Sequence, residues 1–154
     1  MGRAIRIDVN SDEVLMFPAV DRPLIHPYSD HALLERIVVP CYDLHEVLAE
    51  KVRAIAGQRR YAIARDLYDI AVLLQRHKVD RDALARVWPT KLEIKGLPVG
   101  PVDLSQWEER KPDYAADWQR NLVYLLVPRM ETDFERVWKS VKTLLQELND
   151  RLNR

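Results

Sequence analysis

The chain has 154 residues with equal numbers of basic (Lys, Arg) and acidic (Asp, Glu) side chains, 24 of each. This is the size of a single domain able to bury its own core, and no overall positive field draws it to nucleic acid, so any RNA contact has to be local. A lone Cys41 excludes an internal disulfide and a multi-cysteine zinc site. With no signal-peptide core and no apolar run of spanning length, the expectation is a cytoplasmic protein that makes no membrane contact.

Ile5, Ile7 and Val9 alternate with Arg6 and Asp8, the period-two pattern of a half-buried strand, which turns Asp8 away from the apolar face. Residues 17 to 30 hold Pro18, Pro23 and Pro27 and read as an irregular connection, followed by a second short strand from Arg36 to Pro40. Asp43 and Glu46 have capping-box spacing ahead of the helical stripe Leu44, Val47, Leu48, Val52 and Ile55, which ends near Gly57. After the basic turn Gln58, Arg59, Arg60, a second helix is read from Ile63, Leu67, Ile70 and Leu74 to about His77, so that the two form a hairpin.

A short helix is expected from Asp80 to Val87, stopped by Pro89, and residues 89 to 112, with two glycines and four prolines, read as a long loop. Trp118, Leu122, Leu125 and Leu126 give one further stripe, broken at Pro128. Phe134, Val137, Trp138, Val141, Leu144, Leu145 and Leu148 give another. The predicted fold class is α+β, with short N-terminal strands of an incomplete sheet in residues 1–40, a helical hairpin in 41–78 and a helical region in 79–154, expected to form one domain.

Two charged groups sit where a simple core would not put them. Lys51 falls between Val47, Leu48 and Ile55, so its ammonium needs a facing carboxylate or bound anion, or has to snorkel to water. Glu50 borders the same stripe. Asp66 flanks the stripe of the second helix with Asp69 one turn on, and two readings stay open for them. They hold a divalent ion with phosphate oxygens, or they belong to a salt-bridged hairpin in which one neutralises Lys51 while Arg65 pairs with Asp69. His26, His31, His45 and His77 lack metal-ligand spacing and read as surface or capping residues.

The run Tyr42-Asp-Leu-His-Glu-Val-Leu-Ala-Glu-Lys-Val-Arg-Ala54, followed by Arg65-Asp-Leu-Tyr-Asp69, resembles the signature of the AbiEii/AbiGii nucleotidyltransferase toxins. That family pairs a Glu-x-x-Ala-Glu-Lys helix with an Arg-Asp-x-x-Asp helix, and Glu46, Ala49, Glu50, Lys51, Arg65, Asp66 and Asp69 stand at those positions. Arg6-Ile-Asp8-Val resembles the family's third-carboxylate strand, and Pro27-Tyr28-Ser29-Asp30 fits its spacing. The family's opening Gly-Ser loop and first acidic strand have no counterpart before Arg3, so the expectation is a later portion of such an enzyme.

The resemblance implies a DNA polymerase beta-like nucleotidyltransferase that moves a nucleotide from a nucleoside triphosphate to an RNA or protein acceptor. It implies the toxin side of a toxin-antitoxin or phage-defence pair, with an antitoxin as partner. Mg2+ would be the cofactor, with Asp8 as the metal ligand. Asp8, Lys51 and Asp66 would be catalytic, and Lys51, Glu50, Arg65 and Asp69 would bind substrate. Two other readings accompany it: a non-catalytic helical interaction module built on a Lys-Asp ion network, and a fragment using Arg53, Arg59, Arg60 and Arg65 against a tRNA acceptor end.

Overall fold

The computed structural model describes residues 14–25, 36–58, 61–126 and 133–154, together with residues 29, 32 and 34. The strand expected at Ile5 to Val9, and Asp8 with it, lies outside the described residues, as do Arg59 and Arg60. Two short strands, β1 (Val20–Pro23) and β2 (Val38–Cys41), form an antiparallel ribbon that pairs Val20 with Cys41 and Pro23 with Val38. The β1 strand thus lies inside the segment expected to be irregular. Its four residues offer one apolar side chain, so the sequence carries no alternation there, and pairing with β2 supplies the order instead. Each strand carries a proline, which the ribbon tolerates because those positions need no donor for the β1–β2 ladder. Ile37, Val38 and Val39 remain exposed on it.

Among the described residues six α-helices follow: α1 (Leu44–Arg53), α2 (Ala64–Arg76), α3 (Arg81–Glu93), α4 (Leu104–Glu109), α5 (Lys111–Asp117) and α6 (Phe134–Leu152). The fold is α+β, as expected. The first helix starts where the capping residue predicts, with Asp43 accepting from the His45 amide, and continues past Arg53 as a π-helical turn, Ala54–Gln58. The α1 helix packs on α2 and α3, and α6 packs on the same two, closing a ring in the order α1, α2, α6, α3. Its centre holds Leu48, Val52 and Ile55 from the first helical segment, Leu67 and Ile70 from α2, Leu84 and Trp88 from α3, and Val141, Leu144 and Leu145 from α6.

The third helix runs through Pro89 instead of stopping before it. An interior proline removes one helical hydrogen bond and crowds the preceding turn, a cost of about 3 kcal/mol in an isolated helix. Here Trp88, Lys91 and Leu92 are all buried, and the Trp88 indole donates to the Gly100 carbonyl at 2.9 Å, so tertiary contacts on both sides of Pro89 hold the helix together. The real stop is Gly96, in the left-handed region at φ 63°, where the amides of Gly96 and Leu97 return to the carbonyls of Glu93 and Leu92.

The long loop expected over residues 89 to 112 is therefore much shorter. Asp103 caps α4 by accepting from the Gln106 amide, a signal hidden among the prolines. Asn149 on α6 fixes the remaining loop at two points, accepting from the Val102 amide at 2.8 Å and donating to its carbonyl at 2.9 Å. The α5 helix continues as a π turn (Trp118–Leu122) and a 3-10 turn (Val123–Leu125), burying Trp118 and Leu122, whereas Leu125 of the expected stripe is exposed. The turn geometry, wider and then tighter than an α-helix, takes Leu125 off the buried face. On the other flank Trp107 stacks on Trp138 with centroids 3.7 Å apart.

The α2 helix has no capping side chain of its own, because Ile63 occupies the cap position. Asp117 supplies the acceptor from the far end of α5, taking the Ala64 amide at 2.7 Å. Asp117→Ala should lower stability by about 1 kcal/mol, the usual worth of a helix cap, in urea unfolding, with Asp117→Asn restoring most of it. An unchanged midpoint in the alanine variant counts against this capping role.

Candidate functional site

The α1 helix carries charge on two sides, and the structure sends the two sides to different neighbours. Toward α2, the Lys51 ammonium lies 3.0 Å from Asp66 Oδ1 and 2.7 Å from Asp69 Oδ2. Residues 66 and 69 lie three apart, so both carboxylates project from one face of α2 and converge on the same ammonium. The side chains of Lys51, Asp66 and Asp69 are 23%, 7% and 37% exposed, so the cluster runs from a buried floor at Asp66 to an open rim at Asp69. An ammonium has three donors, and these contacts use two of them.

Toward α3, Glu46 is fully buried and its Oε1 is paired with Lys91 Nζ. Lys91 also donates to Glu50 Oε1 at 2.7 Å and to the Val14 carbonyl at 3.0 Å, so all three of its donors are matched. The other oxygen of Glu46 accepts from the amides of Met16 and Phe17, at 2.9 and 3.0 Å. Glu46 therefore does not close the capping box expected of it. Its carboxylate faces inward, because a buried ammonium and two backbone donors need it there. Glu50 completes the cluster by pairing with Arg53.

His45 joins the starts of two helices. Its Nδ1 lies 2.8 Å from Asp43 Oδ1 and its Nε2 accepts from the Asp80 amide at 3.1 Å, which fixes the tautomer with the proton on Nδ1 and bears out a capping role.

The expected site residues thus fall into separate groups. Lys51, Asp66 and Asp69 come together. Glu50 belongs to the Lys91 cluster on the other side of the helix. Arg65 is exposed and makes no ion pair among the described residues, so the pairing of Arg65 with Asp69 is replaced by Lys51 with Asp69. Arg53 is buried against Glu50, which takes it out of any exposed basic face. Among the described residues no group of three or more His, Cys, Asp or Glu side chains converges as metal ligands, and both carboxylates of α2 already face an ammonium. No helix among them is long and apolar enough to cross a membrane.

The family model of the nucleotidyl transferase AbiEii toxin, a type IV toxin-antitoxin system, matches residues 1–140. The chain belongs to this AbiEii family. No curated protein and no solved structure matches it. Both motif helices fall within the matched span, and the AbiEii chain uses its Glu-x-x-Ala-Glu-Lys run as a two-sided element: Glu46 and Glu50 serve α3, Lys51 serves α2, and fully buried Ala49 lies between them. Reasoning from the sequence did not find Lys91 or Asp117. Lys91 follows a proline taken as a helix stop, and Asp117 sits far along the chain from the amide it caps. The available signal for Lys91 was its position on the buried face of α3, once that helix is continued past Pro89.

Both clusters shift proton affinities. Burial alone pulls the Lys51 amine down, but its bonds to Asp69 and Asp66 outweigh this and raise it above its ordinary 10.5. Lys91 is raised in the same way by Glu46 and Glu50 against the pull of burial. Burial pushes the Glu50 carboxyl up, and Arg53 and Lys91 override it, holding it below its ordinary 4.5. Groups with raised values stabilise the fold below 10.5 and lose that contribution as pH rises through the folded value. A lowered carboxyl stabilises above 4.5 and loses its contribution as pH falls through the folded value. The thermal midpoint should therefore hold a plateau between these limits and fall on both sides. In Lys91→Met the alkaline fall should shrink, and a wild-type alkaline limb retained unchanged in that variant would contradict the assignment.

Proposed function

We propose that this chain binds the triphosphate of a nucleoside triphosphate at Lys51 and serves nucleotidyl transfer to an RNA or protein acceptor, as the cytoplasmic toxin of a toxin-antitoxin or phage-defence pair. An antitoxin is its counterpart. The observation that carries this reading is the Lys51 ammonium itself. It is held by two carboxylates, partly open to solvent, and among the described residues has one donor uncommitted, whereas the ammonium of Lys91 is enclosed and fully matched. A phosphate oxygen arriving at the open side completes the third hydrogen bond of a cation whose position is already fixed, which lowers the ordering cost of binding.

In this reading Asp66 and Asp69 keep Lys51 charged and aimed. Asp66, the more buried, sets the depth of the ammonium, and Asp69 at the rim stands beside the bound nucleotide or the acceptor. Exposed Arg65, one turn before Asp69 on the same helix, supplies a second cation at the mouth of the site. Glu50 acts one layer back, through Lys91. Mg2+ would be held by Asp8, with further ligands from the nucleotide phosphates, and when bound it supplies charge neutralisation of the attacking and leaving oxygens. The competing reading is an interaction module in which Lys51, Asp66 and Asp69 only pack two helices, and it draws support from the fact that both carboxylates are already taken by the lysine.

Calorimetric titration with each nucleoside triphosphate and magnesium separates the two. Saturable binding that weakens about tenfold or more, equivalent to about 1.4 kcal/mol, in Lys51→Ala and Asp66→Ala, with helical content retained, is the expected result. A folded wild-type chain that binds none of them at millimolar concentration would leave the packing role as the better account.

A further inference from the structure

The first turn of α2 carries the floor of the Lys51 cluster and cannot hold itself. Ala64, Arg65 and Asp66 form that turn, where the backbone amides have no carbonyl of their own helix to bind, and Ile63 at the cap position offers no side-chain acceptor. Asp66, 7% exposed and 3.0 Å from the Lys51 ammonium, thus stands on the least self-supporting part of the helix. Asp69, the other partner of Lys51, stands beyond it, where the helix satisfies its own amides.

Two successive residues at the end of α5 hold this turn from outside. Asp117 Oδ2 accepts from the Ala64 amide at 2.7 Å, two residues before Asp66. Its other oxygen accepts from Asn121 Nδ2, also at 2.7 Å, which fixes the orientation of the carboxylate. Trp118, 1% exposed, meets Tyr68 of α2 edge-on with centroids 6.0 Å apart and Phe134 of α6 at 5.6 Å, so the stretch that carries the cap is itself anchored to two helices.

We propose that Asp117 is a positioning residue of the nucleotide site: by holding the Ala64 amide it sets where Asp66, and through it the Lys51 ammonium, stand. This rests on the reading of Lys51 given above. The path is short, from Asp117 to the Ala64 amide, two residues along the chain to Asp66, and from Asp66 to Lys51. Without the cap the first turn frays, and Lys51 keeps Asp69 at the rim while its buried partner loosens. The ammonium remains charged and near, but its position is no longer fixed, so the cost of ordering it returns when a phosphate binds.

The test compares Asp117→Ala with Asp133→Ala in the full chain. Asp133 caps α6 by accepting from the amides of Glu135 and Arg136, on a helix that carries neither Lys51 nor its acids, so a general loss of stability acts on both variants alike. Amide hydrogen exchange is read by NMR at Asp66, whose amide donates to the Ile63 carbonyl at 3.0 Å, alongside titration with magnesium and a nucleoside triphosphate. In Asp117→Ala the Asp66 amide should exchange at least about tenfold faster and nucleotide affinity should fall about fivefold, with both retained in Asp133→Ala and largely restored in Asp117→Asn, which keeps an acceptor. Should Asp117→Ala not fold, Asp117→Leu, which fills the space without an acceptor, takes its place with the same expectation.

Unchanged exchange at Asp66 on loss of the acceptor, or an equal loss of affinity in Asp133→Ala, overturns the proposal. Faster exchange with unchanged affinity overturns the positioning role and leaves only the cap. A wild-type chain that binds no nucleotide removes the reading of Lys51, and a nucleotide-free measurement then decides the rest. The proton affinity of Lys51, raised above 10.5 by Asp69 and Asp66, should fall toward that value in Asp117→Ala and hold in Asp133→Ala when followed by the Nζ resonance. No difference between the two variants means that Asp117 does not position Asp66 against Lys51.

Discussion

The buried pair of Glu46 and Lys91 is the constraint around which the rest of the structure is arranged. Two opposite charges out of water are tolerable only when they are well matched, and here each oxygen of Glu46 and each ammonium proton of Lys91 has a partner: two backbone amides, one carbonyl and a second carboxylate complete the set. Removing one member would leave the other buried and unmatched, a penalty of about 3–5 kcal/mol by analogy with other broken buried pairs. That penalty holds α1 and α3 in one register and brings the N-terminal segment against them. It also explains why α3 is carried past Pro89, since Lys91 lies two residues beyond it.

The second cluster uses the same chemistry for a different end. Lys51 and Lys91 are both lysines facing two carboxylates, and both have raised proton affinity. They differ in closure. Lys91 spends its third donor on the protein, and among the described residues Lys51 does not. A cation fixed by its own protein but incompletely satisfied suits an anionic ligand, whereas a complete one suits architecture. One helix therefore carries both the closed cluster facing α3 and the partly exposed cluster facing α2.

What the sequence made legible follows from how local each signal is. The α1 start at Asp43, the limits of α2 and the buried face of α6 are written in capping residues and helical periodicity, and each appears where expected. The convergence of Lys51 with the acids of α2 was visible as a charge on an apolar stripe needing a partner. The misreadings share a cause. Pro89 was weighed by its intrinsic cost, which tertiary packing of Trp88, Lys91 and Leu92 overrides. Glu46 was given a local partner because capping boxes are local, when a distant ammonium and two amides outbid the cap. The β1 strand has no alternation to read, because its order comes from its partner strand.

The buried pair also has a temporal side. Lys91 is 77 residues from the Val14 carbonyl it binds, and Asp117 is 53 residues from the amide it caps on α2. At a synthesis rate of about 5–20 residues per second, Lys91 follows Val14 out of the ribosome by roughly 4–15 s, and the cap on the helix bearing Asp66 comes later still. During that interval α1 can form, but the segment before it has nothing to close against and the acids facing Lys51 sit on an uncapped helix. The parts of the site are thus made early and joined late, so a growing chain of this toxin family stays unassembled at its candidate site until Asp117 has been made.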